Sequence, residues 1–162
     1  MSGGGVLSLV VGFVSFLHFC MYAIILGISC WAMNTAIDHG SIIGPGMNKT
    51  VQLSPIYFPI GNAATGFFVY LALGAGIAGV ASSFFGLISS CCGLSDAKAI
   101  NGLASAAAGA WIVTLFAMGF ACKEIELQHV REAQLRTMEV LIIILSATQP
   151  FYICLIHATA LD

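Results

Sequence analysis

Charged residues divide the chain into four long uncharged blocks. The blocks cover 1–37, 50–95, 99–122 and 140–161, and each is rich in Leu, Ile, Val, Phe, Ala and Gly. A helix rises about 1.5 Å per residue, so about 20 apolar residues cross a hydrocarbon core of about 30 Å. The blocks lack the alternating pattern of a membrane β-barrel. The pattern therefore predicts an all-α protein, a four-helix transmembrane bundle.

Turn-forming residues and prolines within the blocks predict where the spans begin and end. Pro55 and Pro59 exclude a regular helix just before the second span, and Pro150 predicts a kink inside the fourth. A long loop is expected between spans 1 and 2, and the length of the chain leaves no room for a separate soluble domain. The expected spans, all in one domain, are about 6–33, 63–89, 100–121 and 137–158.

Two of the expected spans carry small residues at four-residue spacing. Small side chains let membrane helices approach closely, and close packing drives their association in lipid. The stripes therefore predict that spans 2 and 3 are the most tightly packed pair. They consist of Gly74, Ala78, Ser82 and Gly86 in span 2, and of Gly102, Ala106 and Ala110 in span 3.

Composition supports the membrane assignment and excludes several classes of function. Hydrophobic residues make up 59% of the chain and charged residues 7%, whereas about 25% of residues are charged in soluble proteins. The net charge is −2, and no basic run suits nucleic acid, so we expect the lipid bilayer and no nucleic acid as partner. No nucleophile–base pair, metal-ligand array or nucleotide-binding glycine loop is visible, so we expect neither enzyme activity nor a cofactor or metal.

Two topology rules disagree about the orientation of the chain. Asn48 begins an acceptor sequon for N-glycosylation in the longest loop, which would place that loop outside. The positive-inside rule counts most of the basic residues on the same side as this loop, against Lys98 alone on the other. We expect cytoplasmic termini and a glycosylated Asn48.

The six cysteines do not form the pattern of a secreted disulfide scaffold. In a membrane helix, cysteine usually acts as a small apolar residue. Cys30 and Cys122 fall at the same membrane face, so a disulfide between them is conceivable. Cys91 and Cys92 are adjacent at a helix end and suit cytoplasmic palmitoylation.

Seven of the twelve charged residues lie in the segment that joins spans 3 and 4. Lys123, Glu124 and Glu139 are at or just inside the membrane interface, where ionised groups need partners. We predict that Lys123 pairs with Glu139, and Arg136 with Glu124 or Glu126. Two interpretations fit the cluster. It is either a binding site for an anionic ligand or a set of charges that clamps the two spans together.

Polar residues inside the spans also have two interpretations. The four histidines lack metal-ligand spacing, but His18 lies near the middle of span 1, where an ionisable side chain is a functional candidate. A neutral histidine hydrogen-bonded to a neighbouring helix explains it equally well. Gln149 and Asn62 suit the same role of hydrogen-bonding between helices.

Three strings in the chain mix rare polar residues with apolar ones. They are IYFPIGNAATGFF at 56–68, AMGFACKEI at 117–125, and LRTMEV at 135–140 followed by SATQ at 146–149. They resemble a plant family of four-span proteins, the abscisic-acid-induced wheat plasma-membrane polypeptide family, over nearly the whole chain. The resemblance implies a multi-pass plasma-membrane protein linked to dehydration, cold and seed desiccation. Members of that family have been associated with uptake of abscisic acid.

Two functions are compatible with these features. A carrier for abscisic acid needs a cation beside an apolar wall, because the ligand is a weak acid with an apolar ring. Lys123 or Arg136 would meet its carboxylate, beside Glu124 and Glu139, and Trp111 would contribute to the wall. The alternative is a non-transporting tetraspan scaffold or auxiliary subunit that stabilises a membrane complex. Tight packing of four helices leaves little room for a transport pathway. A carrier would therefore need a homo-oligomer or a partner membrane protein to complete that pathway.

Overall fold

The computed structural model describes residues 3–40, 63–92, 97–126 and 133–159, and all of them are α-helical. The prediction of an all-α chain with four spanning helices is confirmed. The loop expected between spans 1 and 2, with Asn48, Pro55, Pro59 and Asn62, lies outside the described residues. The helices are α1 (Gly3–Gly40), α2 (Ala63–Cys92), α3 (Ala97–Glu126) and α4 (Ala133–Thr159).

The helices extend beyond the predicted spans. They contain 38, 30, 30 and 27 residues, which corresponds to about 57, 45, 45 and 40 Å at about 1.5 Å per residue. In α3, for example, Lys98 precedes the predicted span and Glu126 follows it. Lys and Glu are good helix formers, so the charges mark where the apolar segment ends and not where the helix ends.

The four helices form an antiparallel ring in chain order, with α1 against α2 and α4, and α3 against α2 and α4. The larger core cluster surrounds Tyr22, Phe68, Met138 and Ile142, and a smaller one near the chain termini includes Tyr152. Large apolar side chains cover the outside of the ring. Among them are Leu9, Phe84, Phe116 and Phe151, all exposed. An outer surface of this kind is stable in contact with lipid and not with water.

Contacts between α1 and α2 are the most extensive in the bundle. A Cβ on Gly76 would lie 3.2 Å from the backbone of Leu26, and one on Gly79 would overlap the ring of Tyr22. The prediction that spans 2 and 3 form the tightest pair is therefore wrong. On α2, Ser82 and Gly86 of the predicted stripe are buried, whereas Gly74 and Ala78 are only partly buried.

The predicted small-residue stripe of α3 points mostly to the outside. Gly102 and Ala106 are exposed, and only Ala110 of the predicted set is buried. Since α3 has small residues on several faces, the spacing of one set could not indicate which face packs. The small residues that do pack inward are Ala104, Ala107, Ala110, Ala117 and Ala121.

Candidate functional site

Two buried carboxylates lie at the end of the bundle where α3 ends and α4 begins. Glu124 and Glu139 are each 4% exposed. The hydrogen bond from Ser146 Oγ to Met118 Sδ, 2.9 Å, sets the antiparallel register of α3 and α4. This register brings Glu124 and Glu139 to a similar height on neighbouring helices. Two carboxyl groups are therefore buried at this end of the bundle.

Glu124 has one hydrogen-bonded oxygen and one without a partner. Thr65 of α2 donates to Glu124 Oε2 at 2.9 Å. The other oxygen, Oε1, is buried and has no hydrogen-bond partner in the described part of the chain. Thr65 thus connects α2 to this end of α3, a contact that the sequence did not predict.

The two basic residues of the predicted site face outward. Lys123 is 56% exposed through its side chain, and its Nζ lies 2.8 Å from Glu126 Oε2, one turn further along α3. The prediction that Lys123 pairs with Glu139 is therefore wrong. Adjacent residues on a helix point in directions about 100° apart, and the rotation of α3 turns Glu124 to the core and Lys123 to the outside.

Arg136 is also exposed, and within the described ranges it forms no ion pair with Glu124 or Glu126, which corrects that predicted pairing as well. The structure thus places Glu124 and Glu139 inside the bundle and Lys123 and Arg136 on its surface. The four side chains do not converge on a common cation-lined site.

Trp111 has a polar role in the bundle, and its predicted place in an apolar wall for a ligand stays a prediction. Its Nε1 donates to the backbone carbonyl of Ser146 at 3.0 Å. Pro150 has no N–H, so the carbonyl four residues earlier, that of Ser146, loses its helical partner. Trp111 of α3 supplies the missing donor. Phe116, further along the same helix, is 63% exposed on the outside.

A polar cluster occupies the middle of the bundle. The hydroxyl of Tyr22 lies 2.9 Å from Thr114 Oγ1 and donates to Gln149 Oε1 at 3.3 Å. Gln149 Nε2 in turn donates to the carbonyl of Ala107 at 3.5 Å. Tyr22, Thr114 and Gln149 are fully buried and come from three helices. The predicted role of Gln149 in hydrogen bonding between helices is confirmed.

A second polar layer lies closer to the chain termini. His18 Nε2 is 3.0 Å from Thr148 Oγ1, so the hypothesis of a histidine bonded to a neighbouring helix is confirmed. Ser15 Oγ is 2.8 Å from the hydroxyl of Tyr152. The rings of His18 and Tyr152 meet edge to face, with centroids 5.2 Å apart.

The inner face of α1 carries a sequence signal that the positions of the charged residues do not reveal. Ser15, His18, Tyr22 and Ser29 are separated by three, four and seven residues, and all four are buried. This is the spacing of one helical face. Polar residues on one face of an otherwise apolar span indicate the side that avoids lipid. The spacing could have identified the inner face of α1.

The five cysteines whose side chains are described are free, and four of them are exposed. Cys30 and Cys122 are both exposed and free, so they do not form the conceivable disulfide. Cys91 is exposed in the last turn of α2. The side chain of Cys92 lies outside the described residues, so the predicted lipidation of this pair stays a prediction, as does glycosylation of Asn48.

Four apolar helices long enough to span a bilayer, packed around a polar interior, define a multi-pass membrane protein. The AWPM-19-like family matches residues 16–159, and the chain belongs to this family. The resemblance to the wheat polypeptide family is thus confirmed. The chain is 34% identical over 143 residues to membrane protein PM19L of rice, Oryza sativa subsp. japonica. The aligned segment covers 87% of this chain and 73% of the rice protein. No solved structure matches.

Proposed function

We propose that the chain is a plasma-membrane protein of the plant stress response that promotes uptake of abscisic acid. The family resemblance suggests the ligand and the setting. The observation that supports transport is the buried cluster of Tyr22, Thr114 and Gln149 near the middle of the bundle. Polar groups at this depth are costly and often mark solute pathways.

The two buried carboxyl groups favour one form of the ligand. An anionic carboxylate that entered between α3 and α4 would approach the buried carboxyl groups of Glu124 and Glu139. We therefore propose that abscisic acid crosses the interior as the neutral acid. Its O–H and C=O groups would exchange hydrogen bonds with hydroxyl and amide groups of the core. Lys123 and Arg136, both exposed, would contact the anion at the membrane surface.

A second candidate function is a non-transporting tetraspan scaffold or auxiliary subunit. The close contact of α2 with α1 favours it, because Gly79 lies against the ring of Tyr22 with no space for a side chain. The polar core groups also bond mainly to one another. In that function the polar core would hold the helices in register, and a partner protein would contact the outer surface or the loops.

Uptake into liposomes separates the two candidates. The purified full chain is reconstituted, and entry of radiolabelled abscisic acid is compared with protein-free liposomes of the same lipid. We expect faster uptake with the protein, and a large loss of that gain in Gln149→Leu. The matched control is Gln134→Leu, since Gln134 is exposed on the same helix.

Thermal unfolding of each variant shows whether it is folded in the assay. A folded Gln149→Leu variant with unchanged uptake would contradict a role for the core in transport. Uptake equal to that of protein-free liposomes would contradict the transport proposal and leave the scaffold as the function.

A further inference from the structure

Two buried polar atoms in the spanning part of the bundle are unusual. His18 Nδ1 and Ser83 Oγ have no hydrogen-bond partner in the described part of the chain. His18 is 2% exposed and Ser83 is fully buried. Buried polar groups nearly always have a partner, either in the protein or in an ordered water. Each of these atoms therefore requires an explanation.

The two atoms belong to neighbouring helices at the same height. Gly79 of α2 lies against the ring of Tyr22 of α1, which fixes the antiparallel register of the pair. His18 lies four residues before Tyr22 on α1, and Ser83 lies four residues after Gly79 on α2. Since α1 and α2 run in opposite directions, these steps lead to the same level of the bundle.

The hydrogen bonds of Thr148 favour one tautomer of the neutral imidazole. Thr148 Oγ1 donates its single proton to the carbonyl of Ile144 at 3.0 Å. In this arrangement it accepts a hydrogen bond from His18 Nε2, which lies 3.0 Å away. Nε2 carries the proton of the neutral ring, and Nδ1 has a free lone pair. His18 Nδ1 needs a hydrogen-bond donor.

We propose that His18 Nδ1 and Ser83 Oγ together bind a water molecule inside the membrane-spanning bundle. The water would donate one O–H to the lone pair of Nδ1 and accept the hydroxyl proton of Ser83. The two side chains are not directly bonded to each other, and a bridging water satisfies polar groups that are too far apart for a direct bond. A buried water typically makes about three hydrogen bonds.

The site suits a molecule of this size and not a larger solute. Next to it, Gly86 lies against the hydroxyl of Tyr152 and Ser15 Oγ, with no space for a Cβ. The edge of the Tyr152 ring also faces the imidazole, with centroids 5.2 Å apart. A water bound here is compatible with either of the two candidate functions.

Solid-state NMR of the full chain in lipid bilayers tests the proposal directly. With ¹⁵N-labelled histidine, we expect His18 to be protonated at Nε2 and to receive polarisation from water at Nδ1. Ser83→Ala should remove most of that transfer. The matched control is Ser82→Ala, which should retain it, because Ser82 Oγ donates to the carbonyl of Gly79 within its own helix at 3.1 Å.

Three NMR results would overturn the proposal. The first is the absence of water transfer to His18 in the unmodified chain. The second is transfer that is unchanged in Ser83→Ala. The third is a signal showing Nδ1 bonded directly to the Ser83 hydroxyl without water.

The direction in which Ser83→Ala shifts the Tm gives an independent test. If the hydroxyl of Ser83 holds a water, Ser83→Ala should lower the Tm by about 2–4 °C, the shift typical of one lost hydrogen bond in a chain of this size. If the hydroxyl is unsatisfied, its removal should leave the Tm unchanged or raise it. An unchanged or raised Tm in Ser83→Ala would therefore contradict the bound water.

Discussion

Residues of one type have different roles according to the face of the helix on which they lie. Gly79 lies against the ring of Tyr22, whereas no atom would lie within 4 Å of a Cβ on Gly109. In lipid, helix association depends on close packing, so the first kind of glycine determines how near two helices come. The second kind contributes only its low helix propensity, which is a cost to stability.

We expect Gly79→Ala to destabilise the bundle by about 1–3 kcal/mol, because the new methyl group would force the ring of Tyr22 from its position. Gly109→Ala is the matched control and should be neutral or stabilising by up to about 1 kcal/mol, since alanine favours the helix. Thermal unfolding in lipid nanodiscs measures both. Equal changes for the two variants would contradict the close contact between α1 and α2.

At the scale of a helix, α4 lacks one backbone hydrogen bond, and a side chain of α3 supplies the missing donor. Pro150 lies inside α4 and provides no N–H. The carbonyl of Ser146 is satisfied instead by Trp111 Nε1 of α3, at 3.0 Å. Membrane helices tolerate proline where a neighbouring side chain satisfies the freed backbone group. Trp111 and Pro150 therefore depend on each other.

We expect Trp111→Phe to destabilise the bundle by about 1–3 kcal/mol, the usual cost of a buried carbonyl left without a partner. In a Pro150→Ala background the same change should cost less, because an alanine at this position restores the helical N–H. Trp31→Phe is the control, since Trp31 is exposed near the end of α1. Additive effects in this double-mutant cycle would show that Trp111 does not compensate for Pro150.

The sequence predicts the helices well and their faces poorly, for a physical reason. Lipid requires an uninterrupted apolar segment, so the absence of charge located all four spans. The same requirement makes both the inner and the outer face of each helix apolar. Small residues on several faces of α3 therefore could not indicate which face packs. Only scattered polar residues such as His18 and Tyr22 carry that information.

The predicted charged site shows the same limit. Its residues were located at the correct end of α3 and α4, but charge alone does not tell which side chain turns inward. That choice depends on the rotation of each helix, and it places Glu124 inside and Lys123 outside. The partner of Trp111 was also beyond prediction, because it follows from the register between α3 and α4.

At the scale of the whole molecule, the antiparallel ring gives the protein two different ends. The start of α1, the end of α4 and the end of α2, with Cys91, lie at one end. The other end has Cys122, the exposed pair of Lys123 with Glu126, and the buried Glu124 and Glu139. The membrane orientation decides which of these ends meets the outside.

Cysteine labelling determines the orientation. With the termini in the cytoplasm, a membrane-impermeant maleimide should label a variant that retains only Cys122 in intact cells. A variant that retains only Cys91 should be labelled after permeabilisation, since both thiols are exposed in the structure. If Cys91 is palmitoylated, it should become reactive only after hydroxylamine cleaves the thioester. Labelling of Cys91 from outside, together with no mobility shift in Asn48→Gln, would reverse the expected orientation.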